Sequence, residues 1–597
     1  MSDLFRDAPV GQMIRWMTKN KYLQYPEEKD TSMYGKFINR EKSGDMARYG
    51  QPNPPEDEEK EEKQDDNQDR SRHRSESSDP TLRGEGTTVN SASGMAVDPE
   101  KGKDVNLVDW WGPNDPECPT NWSQGKKFFV TFLICLLTTS IYIGASIYSA
   151  GEQRITMVFG VSTVVATIGL TLFVAGYGLG PMIWSPMSEI PQIGRTPIYM
   201  STLFAFVFLN FGVICEILQD TTPQIKGCLM MLSTLACCSV SRFLTGFFGS
   251  PVLATGGASL ADVYVSRKRA YAIAIWGISA ICGSVLGPLV GGFAAQYEDW
   301  TWPIWELVWL SGFCWVVLMF CLPETSGNNL LLRRTKRLRK LTGNQNLRCE
   351  AELIGEGMST KDIAIMSLVD SRSLSVACVL TIQKPGIVFA LNHYIALIYG
   401  LLYVWFESFV IVFIDIYGFN LGEEGLAYLG ILIGAFAILP PFFLYLYKIL
   451  EPQFDDKGDL KPEKRLPPAC VGAFMIPICL FWFGWSARAD VHWIMPIIGS
   501  AFFSMGSVLL FNSVLNYLPD AYPEYAASVL AGNDFMRSAF GAGFPLFARA
   551  MYNDLGVNWA SSTLGFLAIA FIPIPFALYF YGETLREKYS KHARKDI

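Results

Sequence analysis

Ionisable side chains inside long apolar stretches are where this sequence could do chemistry, because a charge at membrane depth is costly unless it is used. Arg242, Asp262, Glu407, Asp534 and Arg537 lie in or beside such stretches. A carboxyl such as Glu407 can bind and release a proton, and a nearby arginine such as Arg242 shifts that affinity. Glu407 lies 22 residues after Lys384, toward the outer end of its run, and reads equally as a protonatable site or as an interfacial carboxylate held by neighbours. Arg242 sits early in its run, so it either faces a central cavity or snorkels outward. Asp262 ends the same run near Arg267 and fits a gate with Arg195 better than a cavity. Asp534 and Arg537, one helical turn apart, are spaced to pair with each other. Tyr399, Tyr403 and Phe406, at spacings of four and three, share one helix face, which suits helix packing first and a box for planar apolar ligands second.

Other chemistries lack their residues. The four histidines, His73, His393, His492 and His592, are too dispersed for a metal site or a His-based triad. Most of the thirteen cysteines sit in or beside apolar runs without metal-ligand spacing and read as small core residues. No Gly-x4-Gly-Lys-Ser/Thr loop is present, which leaves out ATP as an energy source.

The elements that must position these groups are membrane helices. Of 597 residues, 50% are hydrophobic and 18% charged, and twelve apolar runs follow at about 128–149, 161–184, 197–215, 239–261, 270–295, 304–322, 385–412, 425–447, 467–486, 493–516, 527–550 and 560–580. Each is roughly one bilayer crossing of about 20 residues. This excludes a soluble enzyme, a disordered scaffold and a basic nucleic-acid binder. Gly227–Val240 adds apolar length before the fourth run and reads as a re-entrant segment or extracellular hairpin. Even-numbered runs are followed by Arg195, by Arg267, Lys268 and Arg269, by Arg333 to Lys340, and by Lys457 to Arg465. Basic loops stay in the cytosol, so both termini are expected there, the loop with Asp520 and Glu524 being the exception. Met1–Asn20 mixes charges with apolar residues and is no signal peptide.

Two halves repeat. Lys126 to Glu324 is 198 positions and Lys384 to Glu583 is 199. Pro323-Glu324-Thr325 and Gly582-Glu583-Thr584 end the halves alike, and Trp300 and Trp559 each precede the glutamate by 24 positions. Equal halves are the layout of a transporter built from parallel repeats. The expected organisation is a cytosolic, largely disordered tail over 1–127, six-helix bundles over 128–325 and 385–584, a basic central loop over 326–384, and a C-terminal tail over 585–597. The tail holds nine acids and two lysines between Glu56 and Asp69, net −7, so the remaining 583 residues sum to zero. A Ser- and Arg-rich patch follows at Arg70–Ser78, open to phosphorylation, and Leu4–Tyr25 is amphipathic enough for a membrane-surface helix. Leu330, Leu331, Leu338 and Leu341 give the central loop a similar face.

In the fifth run Gly283, Gly287 and Gly291 fall four apart, forming a smooth stripe for close helix approach, and Pro288 kinks the span. With Gly292 they resemble the Gly-x3-Gly-Pro-x2-Gly-Gly signature of proton-coupled exporters in the major facilitator superfamily. Ser241–Gly246 resembles the family's arginine motif of span four, which links Arg242 to proton transfer. Ser185–Glu189 with Gly194 and Arg195 is similar to the superfamily's gate-latching loop, but Glu189 replaces Asp, two extra residues precede Gly194, and Thr196 replaces a basic residue. The nearest resemblance, over nearly the whole chain, is to fungal twelve-span drug:proton antiporters of the benomyl and fluconazole resistance type. It is carried by Arg6, Asp7 and Tyr25–Glu28; by Ala254–Asp262; by Asn392, Tyr399, Tyr403 and Glu407; by Gly484–Ser486 and Trp493; and by Asn533, Asp534, Arg537 and Pro545. Thr301 stands where that family has an arginine between two tryptophans.

The resemblance implies an all-α membrane protein of twelve transmembrane helices in two six-helix pseudo-repeats, with a disordered cytosolic tail. It implies a plasma-membrane antiporter without enzymatic activity or cofactor, driven by the proton gradient, monomeric, exporting bulky hydrophobic drugs, fungicides or toxins. Arg242 and Glu407 would couple protons. Asn392, Tyr399, Tyr403 and Phe406 would line the cavity. Glu189, Gly194, Arg195, Asp262, Asp534 and Arg537 would form the cytosolic gate. A polyamine or secondary-metabolite exporter of the same fold is the alternative. A membrane-embedded enzyme would need clustered His, Asp or Cys, and a channel or receptor fits the repeat and glycine stripe poorly.

Overall fold

Hydrocarbon offers no partner to a backbone amide, so a long apolar run must satisfy its own N–H and C=O groups as a helix. The computed structural model describes residues 2–37, 106–220, 228–298, 301–354, 387–456, 458–522 and 526–589, and among them every regular element is helical. The chain divides into two compact units, one of Met1–Tyr25, Trp110–Arg333 and Ala351–Ile597, the other of Pro26–Asp109 and Arg334–Glu350.

The first unit holds the spans. Nine described stretches are long and apolar enough to cross a membrane. One of them, Val529–Arg586, contains two crossings, because Gly556 (φ 74°) breaks the helix into two. With Thr196–Asp220 and the pair Cys228–Gly249 and Pro251–Val263 added, the twelve crossings are complete. The fourth differs from its expected form. Residues 228–240 continue straight into it as helix rather than turning back as a hairpin, which lengthens the span at its N-terminal end. Several spans are broken where the sequence is punctuated. The second is Thr163–Leu179 followed by Pro181–Glu189, and the seventh passes from α-helix at Ile387–Phe409 into a π-turn at Val410–Ile416. Such wide turns commonly mark functional positions.

The amphipathic head is part of this unit. Helices Ser2–Asp7 and Pro9–Met17 fold around Tyr25, whose ring lies between Arg6 (4.2 Å) and Arg15 (4.6 Å). The Tyr25 hydroxyl donates to Asp7 Oδ1 at 3.1 Å, and Lys126 of the first span reaches Asp7 Oδ2 at 3.6 Å. Arg6, Asp7 and Tyr25, three of the residues that carried the resemblance, thus form one cluster. The second unit is smaller. In it Arg337 grips the buried Glu27 carboxylate at 2.6 Å, a single bridge pairs Leu107 with Arg348, and Leu338, Leu347 and Cys349 are buried. Helix Gly327–Thr342 is the amphipathic segment expected of the central loop. The acidic run, the Ser and Arg patch, Trp300, Lys384 and Glu524 lie outside the described residues.

Candidate transport cavity and gates

The glycine stripe of the fifth span (Ser266–Tyr297) sets the geometry of the centre. A Cβ at Gly283 would stand 2.5 Å from Tyr142 Cβ, and one at Gly287 or Gly291 would stand 2.7 Å from Ile147 atoms, so the first span (Gln124–Ser146 and beyond) lies against the bare backbone. Ser146 Oγ donates to Gly283 O at 3.2 Å across this seam. Gly292 and Pro288 face the other half: a Cβ at Gly292 would meet Leu421 O at 2.5 Å, one at Gly425 would meet Pro288 O at 2.7 Å, and Gly422 N donates to Gln296 Oε1 at 2.9 Å. The stripe therefore seats span one on one side and span eight, beginning at Leu421, on the other.

Between the halves lies a cavity of about 70 Å³, lined by Tyr142, Trp276, Ser284, Tyr399, Phe503, Ser507, Phe511, Asn512 and Arg537 among others. Its walls are aromatic and aliphatic, and several polar atoms there have no protein partner: Ser507 Oγ, Asn512 Oδ1 and Arg537 Nε. Buried polar atoms normally have partners, so these are the groups left for a ligand or water. Arg537 Nη2 pairs with Asp534 at 2.7 Å, and its guanidinium lies 5.4 Å from the Tyr399 ring centroid.

At the face bearing the basic loops, Arg195 Nε donates to Asp262 Oδ2 at 2.6 Å. Burial alone disfavours a charged Arg195, but the Asp262 carboxylate outweighs it and holds the guanidinium above its ordinary range. Gly194, at φ 80°, takes a left-handed turn that leaves room for the Glu324 carboxylate. Glu324 accepts from the backbone N of Arg195 (3.0 Å) and Thr196 (3.2 Å), capping the third span, and from Thr325 and Ser326 N (3.0 Å each). Thr196, the substitute for a basic residue, donates its hydroxyl to Pro323 O at 3.1 Å. The second half repeats the arrangement: Arg465, before the ninth span, pairs with Asp520, at the end of the tenth, at 2.8 Å, and Arg586 grips Glu463 at 3.1 and 3.2 Å. Contacts join the halves here: Glu451 takes Lys268 at 2.6 Å, the Tyr271 hydroxyl at 2.7 Å and Arg267 at 3.7 Å, and Asp520 takes Arg269 at 3.7 Å. Asp520, of the loop that broke the basic pattern, thus answers cations from elsewhere.

At the opposite face, Thr171 of the second span donates to Ala542 O of the eleventh at 3.1 Å. Glu407 is buried there, facing Glu152 at the end of the first span and Arg549 of the eleventh.

The expected site residues therefore separate into groups. Arg195, Asp262 and Glu189 line one polar pocket at the basic face with Gly194 adjoining. Asp534 and Arg537 pair with each other as spaced, but Arg537 lies in the central cavity rather than at the gate: it stands one residue before Ser538, which packs against Gly178 midway along the second span. Of the four cavity candidates, Tyr399 lines the cavity. Tyr403 stands behind it, hydroxyl to hydroxyl at 3.5 Å, Phe406 packs edge-on to Tyr403, and Asn392, which is not among the cavity-lining residues, accepts from Asn533 Nδ2 at 2.9 Å with its own Nδ2 unpartnered. Arg242 is buried between spans one, two and four. It donates to Gly144 O at 2.8 Å and lies over Tyr148 (4.8 Å) and Phe173 (4.6 Å), with no ion pair among the described residues. Outward snorkelling is thereby excluded. Tyr142, Trp276, Asn512, Glu152 and Glu324 went unnoticed as site residues. Glu324 alone carried a signal, the repeated Glu-Thr at the end of each half.

The sequence matches the family described as Major Facilitator Superfamily over residues 128–545. The chain belongs to that superfamily. Its curated relatives in the superfamily include transporter mfs1 of Schizosaccharomyces pombe, 43% identical over 516 residues, 85% of this chain and 93% of that one. Fluconazole resistance protein 1 of Saccharomyces cerevisiae is 40% identical over 85% of this chain and 88% of its own length. The cycloheximide resistance protein of Candida maltosa is 38% identical over 87% and 91%. Among solved structures, the xylose transporter XylE of E. coli superposes with a TM-score of 0.51 at 14% identity, covering 76% of this chain and 99% of that one, a likeness of fold alone.

Proposed function

We propose that this superfamily member is a proton-coupled antiporter of the plasma membrane, with both termini in the cytosol, that exports bulky hydrophobic drugs, fungicides or toxins. The observation that carries the reading is a central, largely aromatic cavity walled by both halves, with contacts between the halves closing it at each face. A volume of about 70 Å³ is well below the roughly 300–1,000 Å³ of a drug site, so the halves, residues 128–325 and 385–584, must rock apart to admit cargo. Opening toward the cytosol would break Lys268–Glu451 and Arg269–Asp520, while opening outward would part the fifth and eighth spans. Two relatives are named for resistance to fluconazole and cycloheximide, and cargo of that bulk suits a cavity bounded by Trp276, Tyr142 and Phe503. Among the cavity-lining residues the charged one is Arg537, a cation that would repel a polyamine; this favours neutral apolar cargo over the alternative. Protonation of Glu407, with Arg242 holding the first span in place through Gly144, would couple the proton gradient to rocking. The test is dye accumulation in cells with and without the protein, before and after collapse of the proton gradient. Lower accumulation that depends on the gradient is expected. Unchanged accumulation on deletion, or export that persists without a gradient, refutes the antiport.

A further inference from the structure

Glu152 lies in the break between the first and second apolar runs. The structure buries it. Glu152 is 7% exposed and Glu407 4% exposed, and the two carboxyl groups, one from each half, lie within hydrogen-bonding reach of each other. Glu152 Oε1 has no donor among the protein groups around it. We propose that Glu152 and Glu407 form a proton-operated clasp between the halves, sharing one proton while the face opposite the basic loops is closed and separating as two carboxylates when that face opens.

The surroundings support one proton rather than none or two. Arg549 of the eleventh span faces both carboxyls and is the cation that does so among the described residues. Thr167 of the second span faces Glu152 while donating its hydroxyl to Thr163 O at 2.9 Å, and Tyr148 lies near it on the first. From the eighth span Tyr428 faces Glu407 and Glu424, a further buried acid, while its hydroxyl donates to Trp405 O at 3.4 Å. One half-buried guanidinium can offset one carboxylate, and two carboxylates in contact need a proton between them. A route for that proton is present, since Tyr399, Tyr403 and Glu407 follow at intervals of four along one face from the cavity to the clasp. The proton comes from water at the outer face, resides on the pair, and leaves by the tyrosines to cavity water once the cytosolic face opens. Its loss leaves two carboxylates in contact, an unfavourable pair that loosens the clasp and readies the outer face to reopen. A carrier that can close its outer face only with the proton aboard returns inward loaded, which is what antiport requires.

The inference rests on the proposed antiport, and its test separates the two. The purified full-length protein is titrated with the protonated-carboxyl infrared band as readout, in wild type, Glu152→Gln and Glu407→Gln. A shared proton predicts that either substitution alone abolishes the same band, because the glutamine amide then donates to the remaining carboxylate; Glu152→Asp restores it. In proteoliposomes, dye efflux by the wild type should depend on outer pH and Glu152→Gln should lose that dependence. A band that survives unchanged in Glu152→Gln, or pH dependence that survives there, overturns the clasp, and Glu407→Gln decides if one variant does not fold. Wild-type efflux indifferent to the gradient, with the shared band intact, would instead overturn the antiport.

Discussion

Replacing Glu324 by alanine should cost far more than replacing Glu583, although the repeat makes them counterparts. Glu324 is 1% exposed and accepts from four backbone N–H groups. The N–H groups of Thr325 and Ser326 can turn to water in the polar pocket beside Ser326, whereas those of Arg195 and Thr196 are fixed at the start of the third span. A buried donor left without a partner costs about 1–3 kcal/mol, so two cost about 2–6 kcal/mol. Arg333, 3.8 Å away and 30% exposed, adds little. Glu583 meets Lys461 at 2.9 Å with both side chains about half exposed, a pair worth about 0–1 kcal/mol. Helicity of the purified variants, followed through a denaturing detergent titration, gives both differences, and dye efflux shows whether loosening this face impairs the cycle. Equal losses in the two variants, or a Glu324→Ala loss below about 1 kcal/mol, the lower end for a single orphaned donor, would refute the capping argument.

Arg242→Ala should abolish export while the protein still reaches the cell surface, and Arg242→Lys should not rescue it, since an ammonium cannot lie flat on Tyr148 and Phe173 while reaching Gly144 O; full efflux by the alanine variant would remove Arg242 from the mechanism. Gly287→Val should force the first and fifth spans apart and stop transport, whereas Gly312→Ala, where a Cβ meets nothing within 4 Å, should leave efflux unchanged. Asp520→Asn leaves Arg465 and Arg269 facing one weakened acceptor; it should raise labelling of a cysteine placed in the cavity from the cytosolic side by several-fold, and unchanged labelling would mean that these pairs do not hold the face closed.

Hydropathy located the spans because backbone satisfaction in lipid leaves one solution for a run of that length. Charge signs likewise made the Arg195–Asp262 ion pair legible. Direction around a helix axis was less so. Asn392, Tyr399, Tyr403 and Phe406 share a helix, but which of them faces a cavity depends on the packing of the eleventh span, where Asn533 captures Asn392. Arg537 shows the same limit lengthwise, since one or two turns of helix separate a gate from a cavity. Glu152 follows Gly151 in a short break between apolar runs, and local sequence cannot reveal that Glu407, 255 residues on, covers it. The head was legible as amphipathic, yet the convergence of Arg6, Arg15 and Asp7 on Tyr25 needs a turn whose Lys19, Asn20 and Leu23 all take positive φ, conformations that residue type did not announce.

The fifth span touches its neighbours on two sides through bare backbone, at Gly283, Gly287 and Gly291 toward span one and at Gly292 with Gly425 toward span eight. Interlocked side chains would have to jump between rotamers as the halves move. Smooth backbone surfaces slide without such steps, so this helix can act as a bearing. It follows that the bearing can be jammed. A bulky residue at Gly425 would wedge the fifth and eighth spans apart on one face alone, arresting the carrier open to that side while the seam with span one stays intact, and so would trap a single stage of the cycle for direct study.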